Sequence, residues 1–372
     1  MVSFELSEEQ RMIRNTVEAF AREEIRPAAR PADETGTIPE ELVAKSWELG
    51  LVAGPIPSEF GGLDDQRSAV TGAVVAEELA FGDLAIALHM LAPRLIAYPV
   101  LEMGGDDQRK RYLPMFAGDR FVPGTAAIIE PRYDFDLGDM ATVARRDGSG
   151  YVLEGHKCFV PLAQESRDVL VYAAMKGEPS GLSGVAGFII AHDTPGVTIS
   201  EREKNMGIKA LATYELTLKD CRISSEARLG GASGTKLNFP RLTSEARVAL
   251  GAMGVGVARA AYEYARDYAK ERKAFGAPIA TRQAIAFMLA EMAIEVDASR
   301  LLVWQAATTL DKGDDALKQS YLARNYAAAA ALKITDNAVQ VLGGHGYIRE
   351  HPVEMWLRNA RAFAVLDGIA TV

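Results

Sequence analysis

The sequence predicts an α+β protein with an N-terminal α-helical domain, a middle domain built on an antiparallel β-sheet, and a C-terminal four-helix bundle. Apolar residues recur at helical spacing in the first and last parts of the chain. Between them, short runs of β-branched and aromatic residues alternate with turn residues. The pattern changes at Phe121 and again at the linker LGGASG, so we place the domains at residues 1–120, 121–230 and 231–372.

The N-terminal part, residues 7 to about 118, has the pattern of consecutive helices. Ser7 can cap the first helix, and Gln10, three residues later, completes a capping box. Pro27 is expected to end the regular pattern of this helix. Further helices are predicted at about 39–50, 66–81, 83–103 and 106–117.

The middle part carries four clear strand signals, the runs YVLEGHKCFV, DVLVYAAM, VAGFIIAH and TYELTLKDCRI. A second helical block is expected to begin near Thr235, with its first helix running to Phe275. Two more helices are predicted at about 281–311 and 314–342, and a last one from Pro352 to the Asp-Gly pair at 367–368.

The stretch GAMGVG has glycines at positions 251, 254 and 256 and loosely resembles a dinucleotide-binding loop. That loop requires a preceding strand, whereas this stretch lies inside a helical pattern. We therefore favour close helix packing here and keep the nucleotide loop as the alternative.

Composition and charge exclude several classes of function. The 372 residues carry a net charge of −9 and a pI near 5.3, so the chain lacks the positive field that collects nucleic acid. Cys158 and Cys221 lie far apart and are expected to be strand or core residues in a reducing compartment, and we expect no metal site. The N-terminus lacks a signal-peptide core, and no uninterrupted apolar run approaches the roughly 18 residues of a membrane span. We expect a cytoplasmic protein with no membrane attachment.

Two stretches of the C-terminal block, YAKERKAFGAPIATRQAIAFMLAEMA and NAVQVLGGHGYIREHPVEMWLRNARAFAVLDG, resemble the C-terminal domain of acyl-CoA dehydrogenases. The resemblance extends over essentially the whole chain, because similar phrases occur at ELGLVAGPIPSEFGG, DDQRKRYLPMFAGD, DTPGVTISEREKNMGIKA and DCRI. It implies an FAD-dependent oxidoreductase in which a carboxylate removes the α-proton of an acyl-CoA thioester and the β-hydride passes to the flavin. In this family the flavin lies between two subunits, so each chain contributes to two different sites.

One half of the family's FAD site is retained in the motifs ERKAFG and QVLGG. The resemblance assigns to these motifs the phosphates and adenine end of the neighbouring subunit's FAD. The motifs offer a guanidinium that can bind phosphate oxygens in pairs, a flat apolar ring and a side-chain amide. Their two glycines also let a ligand approach the main chain closely. The alternative is an ordinary helix end followed by a glycine-rich cap. The residues are Arg272, Phe275, Gln340, Gly343 and Gly344.

The other half, which would hold the flavin ring in the chain's own site, is altered. Where the family has hydroxyl residues, the loop IEPRYDFD has Ile129 and Phe135, and the strand segment FVP has Pro161. Asp134 also adds negative charge near the expected pyrophosphate. Glu130, Pro131 and Asp136 remain. We expect this chain to bind flavin poorly in its own pocket, because the three replacements offer no side-chain hydrogen bond.

Asp367, followed by Gly368, occupies the position of the family's catalytic Glu-Gly. It is one methylene shorter than glutamate, and a helix C-terminus would raise its pKa. The alternative interpretation is structural, since an Asp-Gly pair is a common way to end a helix. Glu245 is a second candidate base, but Ala246 occupies the family position, so a solvated residue or a partner of Arg241 is the favoured interpretation.

Arg247 matches the family's arginine near the CoA mouth. Its alternatives are a salt bridge with Glu245 and a place in a subunit interface, and the sequence does not separate them.

These features lead to one hypothesis and two alternatives. The leading hypothesis is a subunit that completes the FAD site of a homologous partner in a heterotetramer, resembling the heteromeric acyl-CoA dehydrogenases of actinobacterial steroid side-chain degradation. The first alternative is an active homotetrameric acyl-CoA or acyl-carrier-protein dehydrogenase that uses Asp367 as base. The second is a non-enzymatic assembly scaffold.

Overall fold

The structure, a computed structural model, describes residues 5–231 and 237–372. Helix α1 (Glu8–Phe20) begins at the predicted capping box: the Ser7 hydroxyl accepts a hydrogen bond from the Gln10 N–H at 3.1 Å, and the Gln10 side chain accepts one from the Ser7 N–H at 3.0 Å. The predicted end at Pro27 is wrong. A turn of π-helix (Ala21–Ile25) leads directly into α2 (Arg26–Thr35), because Pro27 lies in the first turn of α2, where no N–H is needed.

The rest of the first block contains α3 (Glu40–Glu48), α4 (Ala69–Gly82), α5 (Leu84–Leu91), α6 (Arg94–Met103) and α7 (Asp106–Phe116). The single helix predicted over 83–103 is two helices, interrupted at residues 92–93, the second of which is a proline. By length and composition Leu84–Met103 would suffice to cross a membrane, but 89% of its apolar window is buried inside the protein. Its apolar character therefore serves the core.

The middle part forms one seven-stranded sheet in the order β1-β4-β2-β3-β7-β6, with β5 paired to β4. The strands are β1 (Thr125–Ala127), β2 (Val143–Asp147), β3 (Gly150–Pro161), β4 (Asp168–Met175), β5 (Val185–Ala191), β6 (Val197–Ile199) and β7 (Thr213–Ser224). The predicted α+β class is confirmed, and all four strand signals form strands. The sheet is mixed, however, because β1 and β2 both run parallel to β4.

The second helical block contains α8 (Phe239–Glu271), α9 (Gln283–Asp311), α10 (Leu317–Leu342), α11 (Gly344–Tyr347) and α12 (Val353–Ala362). Its predicted start near Thr235 lies outside the described residues. The first helix ends at Glu271 rather than Phe275, because a short hairpin of β8 (Lys273–Ala274) and β9 (Ala277–Pro278) follows it. The last helix ends at Ala362, well before the Asp-Gly pair.

The glycines of GAMGVG allow α8 to pack closely against its neighbours. A Cβ added at Gly256 would lie 2.2 Å from the main-chain oxygen of Glu77 on α4, and one added at Gly251 would lie 3.0 Å from the Val303 side chain on α9. The close-packing interpretation is therefore correct. Ion pairs join the same three helices: Glu77 on α4 lies 3.1 Å from Arg259 on α8 and 2.9 Å from Arg300 on α9.

We predict that Gly256→Ala lowers the free energy of unfolding by about 1–3 kcal/mol, because the added methyl meets a main-chain atom that moves only with α4. Gly254→Ala is the matched control, since its methyl would lie 3.3 Å from the main-chain oxygen of Ala327 and both variants gain helix propensity equally. Urea unfolding measures both changes. A loss at Gly256 no larger than that at Gly254 contradicts the packing argument.

Candidate functional site

Asp367 lies in the segment after α12, on a turn that Arg324 holds from α10. The Arg324 Nη2 donates to the main-chain oxygens of Phe363 at 3.0 Å and Leu366 at 2.7 Å. Gly368 adopts φ +64°, and a Cβ there would lie 2.5 Å from the Ile128 side chain. The chain after Asp367 is therefore pressed against the segment that follows β1, and its remaining residues are buried.

Burial raises the pKa of Asp367, although Arg324 and Arg247 oppose the shift. Its Oδ1 atom is buried and has no hydrogen-bond partner among the described residues. The sequence argument expected a raised pKa from a helix C-terminus. That cause is wrong, because α12 ends at Ala362 and the shift comes chiefly from loss of solvent.

An apolar cavity of about 30 Å³ adjoins Gly368, between α6, β1, β4 and the first turns of α8. Its wall includes Leu95, Tyr172, Phe239 and Ala246. A cavity of this volume has room for about two water molecules. An acyl chain would enter it only if these side chains moved.

Glu245 does not approach Asp367 but forms buried ion pairs with two arginines. Its carboxylate lies 2.7 Å from the Arg67 Nη2 and 3.0 Å from the Arg241 Nε. Glu245 is 1% exposed, so the solvated alternative is wrong and the expected pairing with Arg241 is present. Ala246, the next residue, lines the cavity instead.

Arg247 is half-buried, and its Cζ lies 5.3 Å from the centroid of the Tyr321 ring. The positive charge of Arg247 lowers the pKa of Asp367, so the two side chains interact electrostatically. Among the described residues it forms no ion pair with Glu245, so the sequence-based pairing of these two residues is wrong.

The three altered positions of the chain's own site offer no hydroxyl. Ile129 is 5% exposed and packs in the core, and Phe135 is half-buried against it. Pro161, the last residue of β3, pairs with Thr213 and has no N–H to donate. Asp134 is exposed and lies 3.8 Å from the Arg132 guanidinium, so its charge is partly balanced.

Sequence reasoning missed a buried ion pair beneath this loop. The Lys157 Nζ is fully buried and donates to Glu130 at 3.0 Å and to the Ile128 carbonyl at 2.8 Å. Glu130 also accepts the N–H groups of Ala141 and Thr142, each at 2.7 Å. Burial lowers the pKa of Lys157 to about 8, and Glu130 opposes that shift. A lysine directly before the apolar residues Cys158, Phe159 and Val160 of β3 was the available signal.

The residues predicted to contact a neighbouring subunit's FAD lie on a surface that is open to solvent. Arg272 caps α8 and Gln340 lies near the end of α10; both are exposed, and neither side chain has a partner among residues 5–231 and 237–372. Phe275 is 97% exposed at φ 51°, with the Arg282 Cζ 5.9 Å from its ring centroid. Gly343 has φ 59° and ψ −130°, and Gly344 is exposed beside it.

A tyrosine–histidine contact joins the two segments of this half-site. The Tyr268 hydroxyl, one turn before Arg272, lies 2.7 Å from the His345 Nδ1, directly after Gly344. The end of α8 and the glycine turn after α10 are therefore neighbours, although the sequence separates them widely. The site is available to a molecule outside this chain.

Helix α9 carries an exposed apolar stripe. Phe287, Ile294 and Leu301 recur every seven residues and are 61%, 67% and 44% exposed. Contiguous exposed apolar surface of this kind marks protein interfaces.

In the part of the chain that the structure describes, no three His, Cys, Asp or Glu side chains are grouped so as to hold a metal ion.

Comparison with known proteins matches three family models along the chain: the acyl-CoA dehydrogenase N-terminal domain at residues 7–119, middle domain at 125–221 and C-terminal domain at 239–372. A probable acyl-CoA dehydrogenase of Bacillus subtilis is 34% identical and covers 100% of this chain and 97% of its own length. The mitochondrial short-chain specific acyl-CoA dehydrogenase of Bos taurus is also 34% identical, covering 100% and 89%. Butyryl-CoA dehydrogenase from Megasphaera elsdenii has a similar structure, with TM-score 0.86, 28% identity and coverage of 99% and 96%.

We predict that Lys157→Met destabilises the chain by about 1–3 kcal/mol, because the buried Glu130 carboxylate loses its fully buried partner and keeps only the Arg132 Nε, at 3.7 Å, as a cation. Adding Glu130→Gln to that variant removes the buried carboxylate charge and should recover part of the loss. Urea unfolding of both single variants and the double variant gives the coupling free energy. Additive single-variant losses would show that the pair is not coupled.

We predict that Asp367→Asn stabilises the chain more at about pH 7.5 than at about pH 4. The folded-state pKa of Asp367 is raised, so the wild-type carboxyl costs no folding free energy below its unfolded pKa. The cost grows as the pH rises towards the folded pKa, and asparagine avoids it. Urea unfolding at the two pH values measures the difference, with exposed Asp336→Asn as the matched control. A stability difference that is independent of pH contradicts the assignment.

Proposed function

The chain belongs to the acyl-CoA dehydrogenase family of FAD-dependent flavoproteins, and we propose that it is the subunit that completes the FAD site of a homologous partner chain. Family membership makes it an oxidoreductase of the type that acts on the CH–CH bond of acyl-CoA thioesters. One observation carries the finer proposal. The residues assigned to a neighbour's cofactor are exposed, and the Arg272 and Gln340 side chains have no partner among the described residues, whereas the residues that would hold a flavin ring in this chain are apolar.

The outward half-site fits the phosphate and adenine parts of FAD. The Arg272 guanidinium is a free forked cation that can bind phosphate oxygens in pairs. Phe275 offers a flat face, and the positive φ at that position is a conformation that side chains other than glycine rarely adopt. A Cβ added at Gly343 or Gly344 would meet nothing within 4 Å, so the main chain there is open to close approach.

The inward half-site fits the flavin ring poorly. Ile129, Phe135 and Pro161 leave ring atoms without donors or acceptors, at about 1–3 kcal/mol for each buried unsatisfied group. When bound, the flavin supplies the hydride acceptor, and a base opposite it is useful only in its presence. The carboxyl of Asp367 is one methylene shorter than the family's glutamate, and the cavity beside Gly368 holds about 30 Å³. We interpret Asp367 as the remnant of a base.

The second candidate is an active homotetramer in which Asp367 is the base. The buried, unpartnered Oδ1 of Asp367 and its raised pKa favour this candidate, because a general base benefits from both. A third candidate is a scaffold that serves assembly only. The apolar stripe on α9 supports oligomer formation in all three cases, as heterotetramer or homotetramer.

We propose that the assembly acts in the cytoplasm on an acyl-CoA and binds no nucleic acid, consistent with a net charge of −9. The heteromeric relatives that the sequence resembles act on steroid side chains. Butyryl-CoA and a steroid side-chain acyl-CoA are therefore the two substrates to compare.

We predict that the purified chain alone is nearly colourless, and that it acquires one FAD per pair of chains when co-expressed with a homologue that has hydroxyl residues at the three altered positions. Arg272→Ala should release FAD from that complex, because the phosphates lose their cation. Flavin absorbance per chain measures both results, and bleaching on addition of either acyl-CoA measures activity. Lys273→Ala, the exposed neighbour of Arg272, is the matched control and should keep the flavin.

The alternatives give different results in the same experiment. A yellow chain with one FAD per chain, bleached by acyl-CoA and inactivated by Asp367→Asn, supports the homotetramer and contradicts the proposal. A co-expressed complex without flavin supports the scaffold.

A further inference from the structure

A second cavity, much larger than the one beside Gly368, lies between α1, the loop at 49–55, α4 and α6. Its volume is about 540 Å³. Arg67 and Arg94 line it, and both lie close to Tyr98: the Arg67 Cζ lies 4.4 Å and the Arg94 Cζ 5.2 Å from the Tyr98 ring centroid. Two cations therefore share one wall of this cavity.

The charge of Arg67 is balanced within the chain. It forms ion pairs with Glu102 and, at 2.7 Å, with Glu245, and its Nη2 donates to the main-chain oxygen of Val372 at 2.5 Å. These partners use both terminal nitrogens of its guanidinium. Arg67 therefore has little capacity for a further ligand.

The charge of Arg94 is not balanced by any described carboxylate. Arg94 is 4% exposed, and its Nε and Nη2 both donate to the main-chain oxygen of Leu51, at 3.0 and 2.6 Å. Its Nη1 is buried and has no partner among the described residues, and no described carboxylate oxygen lies within 4.0 Å of the guanidinium. Burial lowers the pKa of Arg94, yet arginine stays protonated in proteins. A buried cation without a counter-ion is strongly unfavourable unless an anion joins it.

We propose that this cavity binds a small oxyanion, a carboxylate or phosphate group, through the Nη1 of Arg94. The Thr71 hydroxyl lines the same cavity; it accepts a hydrogen bond from the Gln10 amide at 3.2 Å and keeps its own proton to donate. The carboxylate of Asp311 also lines it, but that group already accepts hydrogen bonds from Ser68 and from the Ala69 N–H at the start of α4. Glu9 and Asp65 are exposed, where solvent screens their charge. The site is independent of the flavin half-sites and of the proposed function.

The test is thermal unfolding of the full chain in sodium phosphate, sodium acetate and sodium chloride at equal ionic strength. We expect a saturable rise in Tm with phosphate or acetate beyond that with chloride, because a ligand bound only to the folded state stabilises it. The anion that saturates at the lower concentration identifies the class. All measurements use the Arg272→Ala background, so that phosphate binding at that exposed guanidinium does not contribute.

Arg94→Met should remove the rise or weaken the apparent affinity at least tenfold, while Arg120→Met, at an exposed arginine outside the cavity, should leave it unchanged. If Arg94→Met fails to fold, Arg94→Lys decides the matter: lysine keeps the charge, but its single ammonium group cannot replace both the bonds to the Leu51 carbonyl and the Nη1 bond to the anion, so affinity should fall about tenfold. The proposal is overturned if the three salts act alike. It is also overturned if either Arg94 variant binds the anion as the wild type does.

Discussion

The close burial of α8 is the constraint on which the rest of the structure depends. Gly251, Gly254 and Gly256 bring this helix against α4, α9 and α10, and charged side chains cross the same contact. Because α8 is 33 residues long, both of its ends reach functional surfaces. Its first turns line the cavity beside Gly368, and its last residue is followed by Arg272 at the surface. One helix therefore positions both Ala246 beside Gly368 and Arg272 at the surface, which are the two regions that our proposal concerns.

Most of the buried charged side chains that the structure describes lie in ion pairs. Arg94 and Asp83 do not, and Asp83 instead accepts hydrogen bonds from the Ile86 N–H and the Asn359 amide. Lys157 is paired with Glu130, and Glu245 is held by Arg67 and Arg241. Each pair offsets the cost of removing charge from water, although a buried pair adds little net stability. Arg94 lacks such a partner, since its guanidinium meets only a main-chain oxygen. That lack of a counter-ion is the physical reason to expect an anion beside it.

The sequence predicted the order of helices and strands, because periodicity is local, and its assignment of Arg272, Phe275 and Gln340 to a cofactor stays a prediction. It did not predict the parallel pairing of β1 and β2 with β4, since strand composition does not encode which strands become neighbours. It placed Asp367 at a helix end, but the Arg324 contacts that hold the real turn come from α10. Lys157 and Arg94 were missed for the same reason: their importance lies in burial and in partners distant along the chain.

The two half-sites differ in a way that a single measurement can examine. Under our proposal, the exposed Arg272 and Phe275 contact a cofactor that another chain holds mainly, and Ile129, Phe135 and Pro161 disfavour a flavin ring in this chain. The direct test is an experimental structure of the FAD-loaded assembly with a homologous chain. Our account predicts FAD phosphates at Arg272 and the flavin ring against the homologous chain. A flavin ring seated beside Ile129 and Pro161 of this chain, opposite Asp367, would contradict it.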